Sequence, residues 1–247
     1  MTSNVDDTTG LSRFFHLNSE PWTNENPGSG ASFLQKTKTY PHADRVALPD
    51  TDRGALDELA ASRHSDRSFS DAPLSLADLA RLLRSAYAAL GPDMMENGQK
   101  FLRRPVPSAG GLYPLELYAL VRNVDGLAKS IYHYDTIGDA LETVSVSDWE
   151  PQARHAFHTW SFVKDAPVVL CIGAVFDRNQ AKYGPRGYRY ILLEAGHVVQ
   201  NICLRAAELG LGSLCMGGYQ DSLVNPLIGL DGVKEAVIYS VAVGAAQ

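Results

Sequence analysis

Cysteine is scarce in this chain. Cys171, Cys203 and Cys215 are its three copies in 247 residues. They are odd in number and far apart, and no C-x-x-C or Cys/His ligand spacing occurs. That excludes a disulfide framework and a zinc site. Each sits in an apolar stretch, so three buried, reduced thiols are expected. Long apolar runs are missing too, so nothing here reads as a membrane span. Positive charge is in deficit: 22 Lys and Arg face 28 Asp and Glu, a net charge of -6. This argues against nucleic acid as the main partner, but leaves room for a local basic pocket for a phosphate. The opening "MTSNVDDTTG" is acidic and polar, unlike a signal peptide. A cytoplasmic protein is the expectation.

What is present is ordinary for a globular protein: 45% hydrophobic and 20% charged residues. The length suits one large domain or two small ones. Residues 1–50 are rich in Asn, Ser, Thr, Gly and Pro, and "PWTNENPGSGAS" is loop-like. Phe14, Phe15, Trp22, Phe33 and Tyr40 make this stretch too apolar for a disordered tail. It reads as an N-terminal arm that packs on something, ahead of a domain over 51–247.

The domain opens with a short helix at "ALDELAASRH". "LSLADLARLLRSAYAAL" follows, with Leu76, Leu79, Leu82, Leu83 and Ala86 at helical spacing, Ser75 as cap, and Gly91-Pro92 as stop. "MMENGQKFLRRPVPSAGGLYP" reads as loop. "LELYALVRN", "SIYHYD" and "ALETVSV" read as strands. "SDWEPQARHAFHTW" reads as a helix capped by Ser147. "APVVLCIGAV" is a continuous apolar strand of the buried kind. A long helix is expected over 187–209. Ile191, Leu192, Ala195, Val198, Val199, Ile202, Cys203, Ala206 and Leu209 form its apolar face, and Gly210 ends it. Glu194, His197, Asn201 and Arg205 form a polar row opposite. A Gly-rich segment, a short helix near 220–228 and a last strand "AVIYSVAV" complete the chain. Helices and strands mix without a βαβ repeat, which favours α+β.

Four stretches carry residues suited to chemistry. "SRHSDRSF" places Arg63, His64, Ser65 and Arg67 after a helix; forked, permanently charged guanidiniums suit a phosphate. Alone, it reads as a solvated basic turn. In "PSAGGLYP", Pro107, Ser108, Ala109 and Gly110 could let backbone amides approach a ligand closely; alone, it is a loop leading into a strand. In "GLGSLCMGGY", Met216, Gly217 and Gly218 could face a flat ligand with no Cβ in the way. The strand–GxGxxG–helix setting of a dinucleotide fold is missing there. "KYGPRGYRY" puts Lys182 beside Tyr183 at what reads as a helix start. Lys182 acts as a base only when stripped of its proton, which burial or a nearby cation favours; Tyr183 could relay that proton. A snorkelling lysine is the plainer reading, as an ion pair is for Glu194 and His197. No metal site is expected.

Taken in order, "RHSDRSF", "PLSLADLARLL", "PSAGGLYPLELY", "YHYD", "KYGPRGYRYILLEAGHVVQNI" and "GLGSLCMGG" resemble the nitroreductase superfamily of flavin enzymes. The match is closest to its SagB-type dehydrogenase branch, over about residues 55–245. "FFHLNS" and "KTYPHADRVALP" in the arm look like that branch too. The resemblance implies an α+β fold with a central mixed sheet flanked by helices. It also implies an intertwined homodimer with FMN at the subunit interface. Arg63, His64, Ser65 and Arg67 match the segment holding the FMN phosphate and ribityl chain. Pro107, Ser108, Ala109 and Gly110 match the loop reaching the flavin of the other subunit. Met216, Gly217 and Gly218 match the segment facing flavin N5. Lys182 and Tyr183 match the catalytic pair. Two departures stand out. The C-terminal "VAVGAAQ" lacks the basic residue many relatives use for the phosphate. Gly111 stands where an Asn is usual.

The resemblance further implies oxidation of a thiazoline or oxazoline ring to the azole in peptide natural-product biosynthesis. Lys182 and Tyr183 would serve the ring proton, and a hydride would pass to flavin N5. A cyclodehydratase or a carrier protein would be a partner. The alternatives are an NAD(P)H-dependent nitro or quinone reductase, oxidation of a carrier-bound substrate in nonribosomal synthesis, and a non-catalytic subunit.

Overall fold

The computed structural model describes residues 10–20, 38–94, 100–145 and 148–247. Its centre is a six-stranded sheet in the order β5-β4-β3-β6-β8-β7. The strands are β3 (Leu115–Val121), β4 (Ser130–Asp135), β5 (Ala140–Ser145), β6 (Val168–Val175), β7 (Gly212–Met216) and β8 (Glu235–Gly244). A mixed sheet was expected, but every pairing within it is antiparallel. Strand direction depends on which segments pair, and local apolar patterns do not encode it.

β6 shows why its sequence is apolar throughout. Val168, Leu170, Ile172 and Ala174 face one core, while Val169 and Cys171 face another. Alternate side chains leave opposite faces of a strand, so a strand covered on both sides needs apolar residues at every position. The first core lies beneath α3 (Leu76–Tyr87) and α7 (Arg186–Glu208). The second lies beneath α4 (Glu150–Ala156) and α8 (Asp221–Leu227), with the short α5 (Trp160–Val163) beside them.

α3 forms as its spacing predicts. Leu79, Leu82, Leu83 and Ala86 are buried, while Leu76, in the first turn, stays 43% exposed. Ser75 caps it: its hydroxyl accepts from the Asp78 N–H at 3.0 Å. The helix stops at Tyr87, ahead of Gly91-Pro92. α7 is the longest element, with 23 residues. Ile191, Ala195, Val198, Val199, Ile202, Cys203 and Ala206 are buried. Leu192 lies outside that face and is 39% exposed. Gly210, at φ +69°, takes the left-handed turn after the helix, as expected.

The rest of the reading meets three corrections. The expected loop before Pro107 contains a two-stranded antiparallel hairpin, β1 (Pro92–Met94) and β2 (Lys100–Leu102). The Gly-rich segment contains β7. The stretch expected as one helix from "SDWEP" is two, α4 and α5, broken at Phe157. Its expected cap, Ser147, lies outside the described residues, as do Trp22 and Phe33 of the arm.

The arm does pack. Its helix α1 (Gly10–Leu17) lies on α6 (Phe176–Tyr183) and on the start of α7. Gln180 donates to the Ser12 hydroxyl at 2.7 Å. The His16 ring meets Phe176 and Tyr188 edge-on, at 5.1 and 5.9 Å between centroids. Phe14 and Phe15 remain exposed. α2 (Ala55–Ser62) lies against α7 further along.

The Ser75 cap makes a clean test of α3. Ser75→Ala should cost about 1 kcal/mol, since it strands one N–H of the first turn. Urea unfolding would show it as a lower midpoint at unchanged slope. Equal midpoints would mean the cap is not holding the helix.

Candidate functional site

Lys182 and Tyr183 form the last turn of α6, not the start of α7. Gly184 and Pro185 break the two helices apart, with Gly184 at φ +56°. A cation in a last helical turn lies at the negative end of the helix dipole. Lys182 is exposed and Tyr183 half-buried. The Lys182 Nζ lies 5.2 Å from the centre of the Tyr183 ring. That ring stands perpendicular to Tyr190, 5.2 Å away. The tyrosine therefore has one fixed side and one free side.

The free side meets the Pro107–Gly110 loop. A Cβ built on Gly110 would come 2.7 Å from Tyr183 Oη and 3.0 Å from Lys182 Nζ. Gly110 also has φ +67°, which disfavours a side chain independently. The positive φ is what calls for glycine, and the two close atoms are the free ends of side chains that could shift. Two stretches 72 residues apart in sequence, at 110 and 182, thus share one surface.

Behind the loop sits a buried carboxylate. Glu194 is 2% exposed, on the inner side of α7. Tyr87 donates to its Oε1 at 2.6 Å, the Ser108 side chain lies beside it, and Oε2 has no hydrogen-bond partner among the described residues. The Tyr87 oxygen also accepts from Leu115 N–H at 3.2 Å. Arg104 lies 4.3 Å over the Tyr87 ring and donates to its carbonyl. Burial pushes the Glu194 carboxyl above the ordinary carboxylate range, against the pull of the Ser108 and Tyr87 hydroxyls. The expected polar row on α7 is therefore split. Glu194 turns inward and His197 stays exposed. Asn201 reaches the Ser85 carbonyl at 3.1 Å, and Arg205 pairs with Glu208.

The second set of predicted residues gathers elsewhere. Arg63 caps the end of α2, half-buried. His64, Ser65 and Arg67 are exposed. The segment is pinned to β7 through Asp66, whose N–H donates to the Ser213 carbonyl at 3.0 Å. Its carboxylate accepts from Ser213 N–H at 3.2 Å. β7 then ends in Met216, which is buried, followed by Gly217, which is exposed, and Gly218. A Cβ at either glycine would meet open space. Among the described residues neither Arg63 nor Arg67 has a carboxylate partner. Two uncompensated guanidiniums, a serine hydroxyl and an open glycine backbone fit an anionic, flat ligand.

The predicted residues thus gather in two separate groups along α7. Ser108 meets α7 at Glu194, while Arg63 acts on the thiols of Cys203 and Cys215. Glu194 and Cys203 are nine residues apart, about 14 Å along a helix.

Sequence reasoning missed Tyr87, Arg104 and Tyr113 around the carboxylate. It also missed the cluster of Glu116, His133 and Arg178. His133 lies 3.0 Å from Glu116 and 2.9 Å from Glu142, and Arg178 pairs with Glu116. The hydrogen bond to Glu116 holds the His133 ring above its ordinary pKa. Glu116 is held below the carboxylate range by His133 and Arg178, which together outweigh its burial. Arg178 stands one turn before Lys182 on α6. The "YHYD" and "PLELY" stretches carried this cluster, but nothing local says that they pair.

Glu194 gives a pH signature. Its folded pKa lies above the unfolded value. Its contribution is therefore fully present below the ordinary carboxylate pKa and is lost as pH rises through the raised one. Glu194→Gln keeps an acceptor for Tyr87 and cannot ionise. In urea unfolding from mildly acidic to neutral pH, the variant should gain steadily on the wild type. Parallel stability curves would show that Glu194 is not the group responsible.

Comparison with known proteins fits this geometry. Residues 60–245 match the Nitroreductase family. A nitroreductase-named protein of Methanocaldococcus jannaschii is 36% identical over 185 residues, 74% of this chain and 88% of its own. The microcin B17-processing protein McbC of Escherichia coli is 33% identical over 165 residues, 64% of this chain. The match spans 57% of McbC, little more than half its length. Among solved structures, the E. coli microcin synthetase McbBCD complex with truncated pro-MccB17 bound has a chain of similar fold. The TM-score is 0.71 at 24% identity, over 95% of this chain and 87% of that one. A nitroreductase-named structure from Desulfovibrio desulfuricans, in complex with FMN, aligns at TM-score 0.53 and 18% identity, over 79% of this chain and 88% of that one. With the α+β fold and a family match running from Ala60 to Ala245, this chain belongs to the Nitroreductase family.

Proposed function

We propose that the protein is an FMN-dependent dehydrogenase of the SagB type. It oxidises a thiazoline or oxazoline ring to the azole during natural-product biosynthesis. The convergence of Lys182 Nζ and Tyr183 Oη on Gly110 carries this reading. The similarity to McbC, a processing protein, supports the substrate class.

FMN, when bound, supplies a two-electron acceptor. Arg63, Ser65 and Arg67 are the groups for its phosphate and polar chain, with His64 beside them. Met216, Gly217 and Gly218 offer backbone to its flat face, and Pro107, Ser108, Ala109 and Gly110 cover it from the other half-site. The half-sites are about 14 Å apart along α7 in one chain, so a second copy would bring the loop of one to the arginines of the other. α7 has a surface for this. Leu192 and Leu193 are 39% and 58% exposed, and Gly196 leaves open space beside them.

The chain's own chemistry is proton handling. The azoline ring carbon, once a residue's Cα, must lose a proton. Lys182 Nζ and Tyr183 Oη both lie within reach of the same point over Gly110, so one can take that proton and the other receive it. Tyr190 braces the Tyr183 ring from the side. A complex with a cyclodehydratase, or a carrier-bound substrate, follows from the same reading; the McbBCD structure is a complex with pro-MccB17 bound.

A second reading is an NAD(P)H-dependent nitro or quinone reductase. The M. jannaschii relative favours it, being nitroreductase-named and 36% identical. Anaerobic mixing separates the two: rapid bleaching of the flavin by NADPH supports the reductase, and bleaching by an azoline alone supports the dehydrogenase.

Lys182→Ala and Tyr183→Phe should each lower azoline turnover by about 10²–10⁴-fold, the usual worth of general acid–base help. Flavin absorbance should stay at wild-type level. Full activity in both yellow variants would remove the pair from the mechanism.

A further inference from the structure

Cys203 and Cys215 were expected as separate buried thiols. The fold brings them together. Cys203 lies on the inner face of α7, 3% exposed, and Cys215 lies on β7, exposed. Their sulfurs are 3.4 Å apart and share a hydrogen bond. Cys171, by contrast, is fully buried in the other core, and burial pushes its thiol up to about 12.

The pair is asymmetric. Cys215 has solvent access, a hydrogen bond to Tyr239 and the Arg63 guanidinium nearby. The hydrogen bond from Cys203 is the largest influence, and with Tyr239 and Arg63 it outweighs burial and brings the Cys215 thiol down to about 7. Cys203 is pushed the other way, first by its hydrogen bond to Cys215 and then by burial. An accessible sulfur that ionises readily, beside a protonated and sheltered one, is the arrangement of an attacking and a resolving cysteine.

We propose that Cys203 and Cys215 are a peroxide-oxidised dithiol site, with Cys215 attacking and Cys203 resolving. The Cys215 thiolate attacks one oxygen of hydrogen peroxide. The O–O bond breaks, and hydroxide leaves and takes up a proton as water. Cys215 is then a sulfenic acid. The Cys203 sulfur attacks the Cys215 sulfur, the S–O bond breaks, and the hydroxyl leaves as water with the Cys203 proton. Two thiols and one peroxide become one disulfide and two waters. The sulfurs must close by about 1.4 Å to reach a bond of about 2.0 Å. The bridge would lock β7 to α7 and remove the thiolate facing Arg63. The site stands on this geometry alone and is independent of the substrate proposed above.

The full-length protein, purified reduced, is exposed to increasing hydrogen peroxide and then alkylated under denaturing conditions. Trypsin cuts after Arg189, Arg205 and Lys234, so the two cysteines fall on separate peptides, 190–205 and 206–234. A disulfide-linked pair of these two should be the first product, reversed by dithiothreitol, while the Cys171 peptide stays alkylated. Cys203→Ala should abolish the link and let Cys215 be captured by dimedone as a sulfenic acid. Because the main readout uses the wild type, a variant that folds poorly does not remove the test. Oxidation of Cys171 first, Cys215 linked between chains as the main product, or both peptides still fully alkylated would overturn the proposal.

Discussion

Tyr87 donates to Glu194 where four pieces of chain converge. Tyr87 ends α3, Glu194 belongs to α7, and Leu115 at the start of β3 donates to the same tyrosine oxygen. Ser108 reaches the carboxylate from the loop. In a buried site a hydrogen bond is strong and an orphaned partner costly, so such a network holds or fails together. Its effect extends to the surface. Gly110 lies two residues beyond Ser108, and Lys182 and Tyr183 face Gly110. Where the loop goes, the surroundings of the exposed pair go with it. A buried carboxylate thereby sits behind the loop that faces Lys182 and Tyr183.

How much of this was legible depends on where each signal is written. Ser75 and the Leu79–Ala86 spacing are local, and α3 formed as they require. The unbroken apolar run of β6 is local too. α7 was found to within a residue at each end. Its faces were less legible: Glu194 looks polar on a helical wheel, yet it turns inward because Tyr87 supplies a partner there, with Ser108 beside it. Leu192 looks apolar, yet it is exposed. α6 was missed because "FDRNQAKY" buries only Phe176, Asn179 and Gln180, so it shows no apolar stripe. β7 was hidden among glycines. The Cys203–Cys215 contact was invisible because a helix and a strand carry the two sulfurs, with a turn at Gly210 between them. The motif residues themselves were legible as groups, and the fold decided which groups meet.

α7 works as the ruler between those groups. One end meets the loop and α6, and further along the helix meets Arg63 and β7. Its buried residues, from Ile191 to Ala206, sit on the sheet and leave it no freedom to slide. The spacing of the two groups is therefore set by the rise of a single rigid helix. A second α7, packed on the exposed Leu192 and Leu193 side, would inherit the same fixed spacing. Any ligand spanning the two halves would meet groups whose separation is fixed before it binds, and preorganisation of this kind lowers the cost of binding.

Charge completes the picture. The chain is net acidic, at -6, so its average surface repels anions. Against that background, Lys182, Arg186 and Arg189 are exposed at the α6–α7 break. Arg63 and Arg67 stand in the other group. Among the described residues none of the five is paired with a carboxylate. Elsewhere on the surface Arg84 is paired with Asp139, and Lys129 with Asp148 and Glu150. Unpaired cations on an acidic body draw anions to the places where they cluster. That favours a small anionic ligand held at a point over a long polyanion held along a stripe. Clustering also explains why the residues suited to chemistry read, one at a time, as solvated turns: what sets them apart is which of them the fold brings together.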